Sequence, residues 1–104
     1  MKHEIDIFEE FGPRLSDGSQ AYQFRLSTLD SYFSMCDSVV LDFSKVRIAN
    51  SSFMNALLAH YFELNAEDAM RKLQFKGCRG VVKTMVHGAI DLGVSKYKAN
   101  HQSA

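Results

Sequence analysis

A chain of 104 residues, 46% hydrophobic and 23% charged, holds enough material for one domain around a single core and excludes extended disorder. Twelve Lys and Arg against twelve Asp and Glu leave a net charge of zero, without the basic excess of a nucleic-acid-binding domain. No apolar run approaches the length of a membrane span. Glu4 and Asp6 stand where an export signal would be apolar, so a cytoplasmic location with Cys36 and Cys78 as reduced, packed thiols is expected.

In chain order, Ile5 and Ile7 share a parity that predicts a first strand over residues 4–9. Gly12-Pro13 breaks it, and a further short strand fits within residues 10–16. Ser16-Asp17-Gly18-Ser19 is turn chemistry with several N-cap candidates. Tyr22, Leu26, Leu29, Phe33 and Cys36 recur at helical spacing and predict a helix over 19–35 with that stripe inward. The β-branched run from Val39 to Phe43 predicts a strand at the sheet centre, buried on both faces. Val46 and Ile48 are expected to touch the core from the connector that follows.

A second helix is predicted over 52–66, opened by Asn50-Ser51-Ser52, with a wide apolar face of Phe53, Met54, Leu57, Leu58, Tyr61, Phe62 and Leu64. Glu67 to Arg71 either extend it or leave it. Leu73 and Phe75 alternate with polar residues, a short strand closed by Gly77. Val81, Val82, Met85, Val86, Ala89 and Ile90 predict a third helix over 79–92 with Gly93 as its C-cap. Residues 95–104 lack apolar periodicity and are expected as a mobile tail beyond a domain at 1–94. Strand and helix alternate three times, which predicts an α/β fold: a mixed, mostly parallel sheet of about three to four strands packed with three helices.

Among candidate site residues, Ser51 lies at a helix start, where free N–H groups and the helix dipole favour an anion. That position suits a phospho-acceptor; equally, Ser51 or Ser52 is simply the N-cap. Arg14 could reach an anion or a partner carboxylate, or pair with Asp17 across the turn. Asp42 ends the central strand, where open α/β sheets border ligand crevices, or else caps its own loop. An enzyme is not expected. Ser51 and His60 are nine residues apart, about 13 Å along a helix, too far for a triad with Asp42. His3, His60, His87 and His101 are scattered without metal-ligand spacing, and no cofactor motif occurs.

The stretch VVLDFSKVRIANSSFMNALLA, a hydrophobic strand ending in Asp-Phe-Ser and a Ser-Ser pair opening an amphipathic helix, resembles STAS domains of anti-sigma factor antagonists and anion transporters. Gly12-Pro13-Arg14, Asp17-Gly18 and Ser51-Ser52-Phe53 together resemble more closely a STAS-like family of small bacterial domains of unknown function, over about residues 5–92. The resemblance implies a regulatory module that docks a protein partner, an ATPase or kinase of the anti-sigma type, through Ser51-Ser52-Phe53. Asp42, Asn50, Arg14 and Asp17 would border that surface, with Ser51 or Ser52 as phospho-acceptor. The chain departs from the antagonist pattern in having Asn50 for the acid before the serine pair and Phe53 for the small glycine after it. An alternative is a nucleotide or small-anion sensor using the same helix start. A third reading is a homodimer formed through Phe53 and Met54 or an unpaired edge strand.

Overall fold

The computed structural model describes residues 1–101. Strands β1 (Lys2–Asp6), β2 (Arg14–Leu15), β3 (Ser38–Asp42), β4 (Ile48–Ala49) and β5 (Leu73–Lys76) form two all-parallel sheets. The larger has the order β1-β3-β5, with the Val39 run at its centre as expected. The smaller pairs β2 with β4, and its first strand lies in the 10–16 segment.

Register decides which face of the larger sheet is wet. His3, Val39 and Leu73 align, as do Ile5, Leu41 and Phe75, and these rows carry buried Ile5, Val39, Leu41 and Leu73 with half-buried His3 and Phe75. On the other face Val40 lies between Glu4 and Gln74, with Asp6, Asp42 and Lys76 in the next row. Val40 is itself buried, but its neighbours are polar, and Lys76 Nζ lies 3.5 Å from Glu4 Oε2. Burial of β3 on both faces therefore holds for its own side chains, while the second face of the sheet as a whole is polar. Parallel sheets are usually covered on both sides.

The first strand stops at Asp6, not at residue 9. The Asp6 carboxylate accepts from the Glu9 amide at 3.4 Å and caps helix α1 (Ile7–Phe11), whose Ile7 is fully buried. A buried residue at the first helical position keeps the parity of the strand before it, which is why the alternation of Ile5 and Ile7 does not mark the boundary.

Helix α2 covers residues 18–35 as Gly18–Phe24, a π turn at Arg25–Leu29, and Asp30–Met35. Its inner face departs from the expected stripe in the first half only. Tyr22 and Leu26 are 46% and 47% exposed, with Ala21, Phe24 and Arg25 buried in their place; from Leu29 onward the expected stripe holds, Leu29 and Cys36 being buried and Phe33 packed against the core. The Asp30 amide bonds back to the Arg25 carbonyl, and this wider turn inserts one extra residue, which shifts the inner face by one position between Arg25 and Leu29.

Helix α3 covers residues 51–64, also with a π turn, at Asn55–Ala59. Phe53, Met54, Leu57, Leu58, Tyr61 and Phe62 are buried as expected; Leu64, beside the helix end, is exposed. Asn65 turns the chain, and its side chain accepts from the Asp68 amide at 3.1 Å, so residues 66–72 form a separate helix α4 (Ala66–Lys72). In the connector before α3, Val46 is buried, but Ile48 faces outward and Ala49 inward, a consequence of the β2–β4 pairing.

Helix α5 (Gly80–His101) runs on past Gly93. Gly93 is not a cap: it is buried where α5 crosses α3, and a Cβ there would collide with the Ala59 carbonyl and lie 2.6 Å from Phe62 Cβ. Residues 95–101, expected outside regular structure, continue the helix, and residues 102–104 of the expected tail lie outside the described residues. Among the described residues there are thus five helices rather than three, around one apolar cluster. No described helix is long and apolar enough to cross a membrane.

Candidate functional site: two helix starts beside one cleft

Asn50, not a serine, caps α3. Its Oδ1 accepts from the Phe53 amide at 2.8 Å, its Nδ2 donates to the Ser16 carbonyl at 3.0 Å, and its amide donates to the Leu15 carbonyl at 3.0 Å. An aspartate could make the first bond but not the second, so the departure from the acidic pattern has a local reason: the amide ties the β2 exit to the start of α3. The N-cap reading of Ser51 and Ser52 is corrected accordingly. Both are exposed first-turn residues, in the region where helix amides lack intrahelical partners.

Asp17 caps α2 in the same manner, its Oδ1 accepting from the Ser19 amide at 2.9 Å. The expected Arg14–Asp17 ion pair is absent among the described residues; Arg14 is exposed in β2, in register with Ile48. The two helix starts touch. A Cβ at Gly18 would lie 2.6 Å from Ser52 Oγ and 3.2 Å from the Ser52 carbonyl, so a larger residue there would have to turn the Ser52 hydroxyl aside and ease the two backbones apart. Between them opens a cleft of about 640 Å³ lined by Ser16, Asp17, Gly18, Ser19, Tyr22, Gln23, Ser52 and Ala56. The Ser52 hydroxyl is held against the α2 backbone, whereas Ser51 stands beside the cleft in the same exposed turn.

Phe53 does not belong to this surface. It is 1% exposed and packs edge-on against Phe11 at 4.9 Å, which in turn meets Phe24 at 5.2 Å. Met54 is fully buried, so neither residue can form the dimer contact proposed for them. Asp42 is elsewhere too. Its Oδ1 accepts from the Ser44 amide at 2.9 Å and the Ser44 hydroxyl at 2.5 Å, and those bonds hold its carboxyl below the usual carboxylate range. It is a loop cap, and no hydrogen bond or ion pair joins it to the Ser51 turn among the described residues.

Arg25, unremarked in the sequence, is 7% exposed behind the α2–α3 face. Its NH1 lies 3.5 Å from Asp30 Oδ1, its guanidinium sits 5.2 Å over the Tyr22 ring, and its buried Nε has no partner. Tyr61 donates to Asp30 at 2.5 Å, and burial together with that carboxylate pushes its phenol above the usual range. A polar residue within an otherwise apolar face gives no periodic signal, which hides Arg25 from pattern reading. Ser16, Gly18 and Tyr22 had one legible sign: two Asx caps, Asp17 and Asn50, each at a helix start.

The family model described as "STAS-like domain of unknown function (DUF4325)" matches residues 20–83. The match contains Ser51-Ser52-Phe53 and most of the apolar core but begins after Gly12-Pro13-Arg14 and Asp17-Gly18. No curated protein and no solved structure matches the chain. With its parallel central sheet, its helix order and a match over more than half its length, the chain belongs to the STAS-like domain family.

Proposed function

We propose that the chain is a non-enzymatic regulatory module that docks a protein partner on the surface where α2 and α3 begin, with Ser51 as a phospho-acceptor. The observation that carries this reading is the pair of capped helix starts held against each other at Gly18 and Ser52. They present an open cleft lined by Tyr22 and by the hydroxyl residues Ser16, Ser19 and Ser52. Ser51 has the freer hydroxyl of the two serines, because Ser52 is packed against Gly18. A partner kinase would transfer the γ-phosphoryl of ATP to Ser51 Oγ, releasing ADP and the hydroxyl proton. The resulting negative charge of nearly two would enter the first turn of α3, next to Ser52, on a chain of zero net charge, and would alter docking there.

The nucleotide- or anion-sensor reading is less supported, since the cleft is lined by a carboxylate and by no Lys or Arg. Incubation of the chain with ATP and the kinase encoded nearest its gene, followed by mass spectrometry, tests the switch. One phosphoryl group on Ser51, absent from Ser51→Ala, is the expected result. Docking is checked by titrating the co-purified partner: Ser51→Asp and Tyr22→Glu should each weaken binding at least tenfold, an order-of-magnitude expectation for a desolvated contact. Unmodified Ser51 together with unchanged binding of both variants would overturn the reading.

A further inference from the structure

The second large concavity lies on the other flank, away from the Ser51 turn. Ala66, Glu67, Met70 and Arg71 of α4 and Ile90, Asp91 and Val94 of α5 line an apolar groove of about 660 Å³. Met70 is 62% exposed there, a large apolar side chain with nothing over it. The groove does not end with the globule. Ile90, Val94, Tyr97 and His101 recur at spacings of four, three and four, so one stripe of α5 leads from the groove onto the segment that overhangs it. Gly93 is the last buried residue of α5, and the seven residues 95–101 project about 10 Å further. Tyr97 and His101 stack at 4.1 Å on that projection.

Charge is distributed along the stripe in a self-complementary way. Asp91 lies toward the groove end, beside Glu67. Lys98 lies on the overhang, and both are exposed. On a helical projection Asp91 and Lys98 fall on the same side of the stripe, and Val94 and Ser95 are midway between them. A twofold axis perpendicular to α5 near that midpoint sets two copies antiparallel and keeps same-side flanks together. It places Lys98 of each copy opposite Asp91 of the other, twice, while each overhang covers the other's groove.

We infer that this groove and overhang form an isologous dimer interface whose occupant is a second copy of the chain, with α5 antiparallel to α5 about Val94 and the two Asp91–Lys98 pairs fixing the register. A net charge of zero leaves no overall repulsion between copies. Nothing in this inference depends on the Ser51 surface.

Light scattering coupled to size exclusion, on the full chain from about 1 μM to about 1 mM, spans weak to moderately tight dimers. The mass should rise toward twice 11.8 kDa with concentration. Asp91→Lys places like charges opposite each other and should weaken the dimer at least tenfold. Adding Lys98→Asp in the same chain reverses both partners and should restore it to within about threefold. Far-UV circular dichroism of each variant, unchanged because both residues are exposed, separates loss of contact from loss of fold. A wild type that stays at one chain's mass throughout overturns the inference and leaves the groove to another protein. So does a dimer indifferent to Asp91→Lys, or one not rescued by the reversal.

Discussion

At the scale of single residues, Asn50 joins more of the site than any serine beside it. Its side chain caps α3 with one atom and ties the Ser16 loop with the other. Asn50→Ala removes both bonds and should lower unfolding free energy by about 1–2 kcal/mol. Asn50→Asp keeps the cap but sets a carboxylate against the Ser16 carbonyl, and should lose about 1 kcal/mol. Urea titration of the two variants checks this. If Asn50→Asp matches the wild type, the Ser16 bond contributes nothing, and the departure from the acidic pattern has another cause. The serine pair itself was legible in the sequence, but its role was not. Three cap-competent residues in a row cannot be ranked without knowing which backbone leaves the extended region first.

At the scale of elements, the two glycines of α5 make opposite predictions. Gly88 is exposed with nothing within 4 Å of a Cβ, so Gly88→Ala should stabilise by about 0.5–1 kcal/mol through helix propensity. Gly93 is wedged against the Ala59 carbonyl and Phe62, so Gly93→Ala should destabilise by about 1–3 kcal/mol by forcing α3 and α5 apart. Thermal melts of the two variants shifting in opposite directions would establish the crossing; a stabilising Gly93→Ala would refute it. Gly93 was read as a helix end because glycine serves both as a terminator and as a point of close approach. Only the partner helix distinguishes these uses. The first half of the α2 stripe misled for a related reason: the π turn at Arg25–Leu29 shifts the period by one residue, and one of the buried positions ahead of it holds an arginine.

At the scale of the molecule, one apolar cluster runs from Ile5 in β1 to Ala89 in α5, and Phe53 is at its heart, touching the aromatic pair Phe11 and Phe24 through Phe11. Phe53→Ala should therefore cost about 3–5 kcal/mol and weaken the whole fold rather than one surface. Denaturation followed by circular dichroism and by tyrosine fluorescence should show coincident transitions for wild type and variant alike. A variant of wild-type stability with lost partner binding would instead return Phe53 to the surface. The sheet adds a second whole-molecule feature. Its polar face, held by the Glu4–Lys76 pair around Val40, leaves a parallel sheet covered on one side.

By itself the sequence determined the α/β class, the central position of the Val39 run, the existence of the three long helices and the family, because hydrophobic period is local and repeats over many residues. By resemblance it also made the Ser51 turn the expected site. Tertiary structure alone decided that Phe53 is core, that Asp42 caps its loop, and that Asn50 holds the serine turn. It alone brought Gly18 to Ser52 and carried α5 past Gly93. The physical reason is common to all of these. Each depends on what a distant segment places within a few ångströms, and neither propensity nor spacing encodes that distance.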